Sequence, residues 1–396
     1  MFDLLIKGGT LIDSSRGIRG TYDLAVTGAY IAQIASAIPV GEAKRVINAT
    51  GYTVTPGLID LHTHVYDGFT RLGVDPDLVG VYAGVTTLAD AGTSGSHTFS
   101  GFPKYVLPNA QTEIFVFLNI GRTGLATSPE ITDAKDIDLD STIKVASENV
   151  PVVKGIKARM VSPALDNMGM EMPRMALKAA RDTGGKFMVH IGQRGATYDP
   201  AYVSELLPLL AAGDIVTHIY CVGHGGVLDQ NGELLPQAKE AYERGVWMDV
   251  GFGQGHFGFE TAKRIMDQGI IPHSISSDIT TPGRVRTVHS LVEMMTRFLA
   301  LGFSLGEVVT MATTNPAKAL GEEHRLGSLA IGRQADISVL YIKDGSWTVY
   351  DTEGGSLLAK RAVLPVLTIK RGQVFQPEWG PRPWGWEPDP SVPPGL

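Results

Sequence analysis

Two histidines, His62 and His64, stand one residue apart at the end of an apolar run, GLIDLHTH (57–64). Alternate residues of a strand share a face, so an H-x-H pair aims both imidazoles to one side, where they can bind one metal ion. Four more polar residues end apolar runs in the same way. They are Lys157 in VPVVKGIK (150–157), His190 in GKFMVHI (185–191), His218 in DIVTHI (214–219) and Asp278 in HSISSDI (273–279). Taken singly, each reads as a hydrogen-bonded structural residue. Four histidines, an aspartate and a lysine at the ends of five separate runs are not explained by packing, and together they predict a metal centre.

The lysine needs its own argument. An ammonium ion is a poor metal ligand, but carbamylation by carbon dioxide makes it an anion with two oxygens, able to bridge two divalent ions. Lys154 and Lys157 compete for this place. Three positions apart on a strand, they face opposite sides. Lys157 lies nearer the strand end and is the predicted inward residue. Lys154 is read as an outward residue that snorkels or pairs with a helix carboxylate.

Other residues lie in loops after the strands. Arg159, Arg194 and Arg284 each read either as a fork for a substrate carboxylate or as an exposed loop arginine, and Arg159 is best aimed. Tyr66, Asp90, His97, His224 and His256 follow strands on the same side. Tyr66 and His256 are carried as substrate-binding candidates. His256 sits in GFGQGHFGF (251–259), a glycine-rich loop without the G-K-[ST] of a phosphate loop. The single cysteine, Cys221, has no base assigned beside it and reads as packing.

The elements that position these residues alternate. Eight short apolar strands, starting near residues 57, 84, 113, 150, 185, 214, 246 and 273, are separated by segments of helical period such as 171–184, 201–213, 235–245 and 259–269. Strand–helix alternation predicts a parallel sheet, and eight units over 57–321 predict an α/β (β/α)8 barrel. Residues 1–56 and 322–376 are short, turn-rich β segments, expected to pair as one small β-sandwich domain. Residues 377–396 form a tail with seven prolines and three tryptophans, expected to pack on the body or on another subunit.

Composition bounds the rest. The chain has 396 residues, of which 43% are hydrophobic and 19% charged, and one cysteine. That excludes a disordered chain and a disulfide-stapled one. A net charge of -7 disfavours a nucleic-acid partner. No apolar run approaches the ~20 residues of a membrane helix. The N-terminus, MFDLLIKGGT, lacks the pattern of a signal peptide. A cytoplasmic protein, binding a small molecule and assembling as a homo-oligomer, is expected.

Three segments carry a resemblance. VTPGLIDLHTH (54–64), GIKARMVS (155–162) and TTNPAKALG (313–321) followed by GSLAIGRQADISVL (327–340) resemble signatures of the amidohydrolase superfamily, and the likeness runs from Asp3 to Phe375. The resemblance implies two zinc ions. His62, His64 and Asp278 would hold the buried one and His190 and His218 the other, with carbamylated Lys157 bridging both. It implies a metal-bridging hydroxide as nucleophile, with Asp278 taking its proton and returning it to the leaving group. Where related deaminases carry H-x-x-E after strand 5, this chain has Gln193; where dihydroorotases carry an arginine after H-x-H, it has Tyr66. HTHVYDG and KARM look closer to a deacetylase-like branch. The expected activity is hydrolysis of an acyl amide or ester of a small carboxylate-bearing molecule, an acylated amino acid or hydroxy acid. A cyclic amidase of dihydroorotase type is the alternative. With every ligand in place, a non-catalytic scaffold is not expected.

Overall fold

Seven of the eight expected strands form one parallel sheet in chain order: Leu58–Thr63, Val85–Gly95, Glu113–Asn119, Val153–Arg159, Lys186–His190, Ile215–Thr217 and Trp247–Asp249. The structure, a computed structural model, describes residues 1–377. Both faces of the sheet are covered, which explains why EIFVFLN (113–119) reads as a continuous apolar run instead of an alternating one.

The eighth segment departs from expectation. SISSDI forms no regular strand among the described residues; Ser274 bridges Asp249 at one edge of the sheet and Ile279 bridges Thr63 at the other. Asp278 N donates to His62 O at 2.7 Å, and His64 N to Ile279 O at 3.1 Å. The reason lies in its side chains. Ser274 and Ser276 donate to Asp249 and Ser277 donates to Asp60, while Asp278 takes φ 49°, which breaks the extended run. The sheet is therefore curled, and this segment ties its two edges together.

Helices follow the strands and cover the outer face. Glu171–Asp182 turns Met172, Ala176, Ala179 and Ala180 inward, a stripe at helical spacing. The helix expected over 201–213 stops at Leu206 and gives way to a 3-10 turn, Leu207–Leu209, around Pro208. The last helix, Thr314–Leu320, lies under the N-terminal ends of the strands. There Lys186 donates to Lys318 O at 3.0 Å, and Lys154 pairs with Glu322 at 2.5 Å. The outward reading of Lys154 does not hold: its Nζ lies 4.6 Å over the ring of Phe115, in the cluster that packs on the last helix, and a register shift between Val153 and Gly155 breaks the strict alternation that the reading assumed.

The two chain ends share a second sheet. Thr53–Pro56 is its seam, parallel to Thr10–Leu11 and antiparallel to Ile337–Leu340. Leu4, Ile6, Leu24, Val54, Ile337 and Ile369 form its core. The hairpin of Ile337–Tyr350 and Ser356–Lys370 is longer than the sequence suggested. Its turn reaches back to the other end of the curled sheet. The Pro/Trp-rich tail, beyond its first residue Pro377, lies outside the described residues.

Candidate metal centre

The C-terminal ends of the strands bring six predicted residues together. His62 Nε2 lies 3.4 Å from Asp278 Oδ1, and His64 Nε2 lies 3.0 Å from the same oxygen. Lys157 Nζ lies 3.5 Å from His62 Nε2. The rings of His62 and His218 are 5.0 Å apart and those of His190 and His218 4.1 Å. All six are buried. His218 and Asp278 both hold positive φ, 70° and 49°. Non-glycine residues avoid that region, and such strain clusters where function needs a particular side-chain direction.

Two groups of ligand atoms lie within 4.8 Å of one another: His62, His218 and Asp278, and His190, His218 and His256. His256 therefore stands against the histidine cluster itself, nearer than a covering loop residue would be. Its ring is 4.2 Å from that of His218 and 4.8 Å from that of His190.

Hydrogen bonds behind the imidazoles settle which nitrogens face the centre. His218 Nδ1 donates to Gly251 O at 2.6 Å, and its buried Nε2 has no hydrogen-bond partner. His190 Nε2 donates to Gly192 O at 3.1 Å, which leaves Nδ1 as its free acceptor. His62 Nδ1 lies 2.9 Å from Thr217 Oγ1 and His64 Nδ1 2.8 Å from Thr93 Oγ1. Burial holds the imidazoles of His62, His190 and His218 well below their ordinary pKa. Burial brings His256 down to about 4, against the pull of Asp278. Burial likewise brings the Lys157 amine down to about 7, although Asp278 and Asp249 act the other way. Neutral imidazoles, a carboxylate and an orphaned buried nitrogen suit a divalent cation.

Glycines make the room. A Cβ at Gly92, where φ is +88°, would sit 2.7 Å from Lys157 Cγ. One at Gly253, where φ is +58°, would sit 2.3 Å from Asp278 Oδ2. No other residue fits either place without moving a candidate ligand.

A cavity of about 130 Å³ opens onto this cluster, and Leu72, Leu125, Arg159, Gln254 and Thr280 complete its wall. Arg159 is the one predicted arginine in that wall; its Nη1 lies 3.2 Å from both carboxylate oxygens of Glu130. Arg194 is not in the wall; it pairs with Glu353 and donates to Thr352 O at 2.8 Å. Arg284, in the helix Thr281–Arg286, is not in the wall. Nor is Tyr66. It is buried between Phe69 and Phe102, each ring stacked on it at 4.2 Å, and its hydroxyl donates to Thr98 O. His97 pairs with Asp138 at 2.8 Å on the surface, and His224 bonds Tyr198 O. Burial pushes the Cys221 thiol up to about 12, which suits packing and not attack.

Several contributors escaped the sequence. Thr217, Thr93 and Glu130 support His62, His64 and Arg159, and no spacing announces them. Asp249 ends the strand Trp247–Asp249 and accepts from Thr217, Ser274 and Ser276. It has the same strand-end signature as Asp278. The turn of the long hairpin grips the His256 loop: Phe257 N donates to Thr352 Oγ1 at 3.1 Å and Phe259 N to Asp351 Oδ2 at 2.8 Å.

Comparison with known proteins places this geometry. The amidohydrolase family pattern matches residues 53–357. A deacetylase of Agrobacterium fabrum is 32% identical over 340 residues, which cover 85% of this chain and 82% of that one. A solved structure described as an adenine deaminase superposes with a TM-score of 0.86 at 29% identity, covering 95% of this chain and 100% of that one. One described as a dihydroorotase gives 0.85, also at 29% identity, covering 96% and 100%. No helix among the described residues is long and apolar enough to cross a membrane.

Proposed function

The chain belongs to the amidohydrolase family and is a hydrolytic enzyme, and we propose that within this family it is a deacetylase. It would remove a small acyl group from an amide or ester of a small carboxylate-bearing molecule, an acylated amino acid or hydroxy acid. The observation that carries this is the small cavity lined by the histidine–lysine–aspartate cluster together with Arg159. It has room for a reacting carbonyl and a short acyl chain, beside a guanidinium that can fork a carboxylate. The deacetylase of A. fabrum is the likeness that supports this choice. The absence of a glutamate at Gln193 argues against deamination, and Tyr66 in the place of an arginine argues against the dihydroorotase reaction.

We read the scaffold as a (β/α)8 barrel over 57–321, supported by the segment that ties the sheet edges, with a β-sandwich over 1–56 and 322–376. His62, His64 and Asp278 would hold one divalent ion, zinc by ligand type, and His190 and His218 a second, with Lys157 carbamylated between them. Such ions, when bound, polarise a carbonyl and acidify water at neutral pH. The chain's own residues do the remainder. Arg159, steadied by Glu130, orients the substrate carboxylate. His256 and Gln254 close the wall and limit water. Asp278 accepts the proton of the attacking water as its oxygen adds to the acyl carbon. It then delivers that proton to the leaving nitrogen or oxygen as the acyl bond breaks. A screen of acylated D- and L-amino acids and hydroxy acids against the metal-loaded protein tests the proposal. Turnover of dihydroorotate, with none on acylated acids, would instead favour the cyclic-amidase alternative.

A further inference from the structure

A second, larger cavity of about 600 Å³ adjoins the first and shares Leu125 with it. Neighbouring residues of the same two loops face the two spaces. Leu72 and Thr280 line the inner cavity, Arg71 and Thr281 the outer. Thr281 N donates to Leu72 O at 3.0 Å, so the loops are tied together at the threshold. The two spaces thus meet at Leu125 and at the tied loops, where Leu72 faces the inner one.

The outer wall has a defined chemistry. Phe69 is 41% exposed, yet its ring is stacked at 4.2 Å and 8° on the buried Tyr66, which is stacked in turn on Phe102. That column gives the wall a fixed apolar surface. Arg71 is exposed and has no ion pair among the described residues. Asp67 also lines this cavity, but its Oδ1 accepts the N–H of Gly68 in its own turn. Leucines at the threshold, an aromatic wall and an uncommitted guanidinium describe a chain that is apolar near its root and carries an acceptor at its tip.

We infer that the outer cavity is a specificity subsite for the side chain of the acylated acid, with Phe69 packing its methylenes and Arg71 binding an anionic group at its end. This rests on the proposed deacetylase reading and goes beyond it, because it names a dicarboxylic acid as the preferred class. Arg159 takes the carboxylate beside the reacting bond, and Arg71 takes the distal one. Tyr66 enters as a positioning residue that holds Phe69 in place.

The test compares three near-isosteric compounds, N-acetylglutamate, N-acetylglutamine and N-acetylnorvaline, in both enantiomers, on the metal-loaded wild type, Arg71→Gln and Asp67→Asn. Wild type is expected to prefer N-acetylglutamate in kcat/KM. Arg71→Gln should lower that value about tenfold, the scale of one charge-assisted contact, and leave N-acetylnorvaline unchanged. Asp67→Asn should raise the value for N-acetylglutamate, because it removes a like charge. Calorimetric binding of N-acetylglutamate to wild type and Arg71→Gln gives a second readout that needs no turnover. Equal losses on all three compounds, or improved binding of N-acetylglutamate by Arg71→Gln, would overturn the subsite. So would wild type that neither cleaves nor binds N-acetylglutamate. Hydrolysis of other acylated acids in that case would leave the deacetylase reading standing alone.

Discussion

Thr217 Oγ1 lies 2.9 Å from His62 Nδ1 and 2.8 Å from Asp249 Oδ2. A hydroxyl has one proton, and the carboxylate takes it. The threonine oxygen must then accept from His62 Nδ1–H, so the lone pair of His62 resides on Nε2, 3.4 Å from Asp278 Oδ1. One buried hydroxyl thereby fixes the tautomer of a candidate ligand, a role that partners behind metal-bound histidines commonly play.

Replacing Thr217 by Val keeps the shape and removes the acceptor. Zinc affinity, measured by competition with a chromophoric chelator, should fall about 10–100-fold, while Thr217→Ser should retain it. Unchanged affinity in the valine variant would mean that His62 is oriented by packing alone.

Asp278 holds φ 49° and carries the proposed proton transfer. Asp278→Asn relieves no backbone strain and keeps the side-chain volume, so the fold should persist. Turnover should drop by at least ~10²-fold, the low end for a general acid–base group. Metal content is measured on the same sample. Near-normal kcat in a fully metallated variant would exclude the role.

Lys157→Ala should lose most of its metal and activity, because it removes the group proposed to join the two ion sites. Short carboxylic acids supplied with zinc should restore part of both. A fully active alanine variant would show that Lys157 serves only to fill space.

The sequence was most informative where burial is two-sided. In a parallel sheet covered on both faces, an apolar run stops where a side chain meets the active end, so His62, His64, Lys157, His190, His218 and Asp278 could be read from run endings. Lys157 was chosen correctly as the lysine nearer the active end, but the register argument against Lys154 failed, because a register shift between Val153 and Gly155 lets Lys154 reach Phe115 and Glu322 under the sheet. What could not be read depends on contacts between distant segments. Tyr66 is a loop residue as expected, but it looked free to bind substrate because its ring partner, Phe102, is 36 positions away. Thr93 and Thr217 are ordinary strand threonines until the fold sets them behind histidines. The eighth strand was over-read. Its alternating pattern is genuine, but its serines bond carboxylates beside them instead of supporting a regular ladder.

Away from the site, Glu113 predicts how the fold responds to acid. It pairs at 2.7 Å with both Arg325 and Lys370. Burial would raise its pKa, yet Lys370 and Arg325 outweigh that and hold it well below the usual carboxylate range. A depressed carboxylate stabilises the fold above its unfolded pKa of about 4.3 and loses that contribution as pH falls towards the folded value. Glu113→Gln should cost about 1–3 kcal/mol at pH 7, a moderate loss because Lys370 keeps Asp336 at 2.6 Å. It should also flatten the fall in stability below pH ~4. Urea unfolding of both proteins across that window checks the sign, and an unchanged acid slope would contradict it.

The most direct measurement is metal stoichiometry joined to the state of Lys157. Protein purified with zinc and bicarbonate should contain two zinc ions per chain by elemental analysis, and ¹³C-bicarbonate should give a carbamate resonance that Lys157→Ala abolishes. One ion per chain with an unmodified amine, or full hydrolytic activity after exhaustive chelation, would contradict a binuclear centre at these residues.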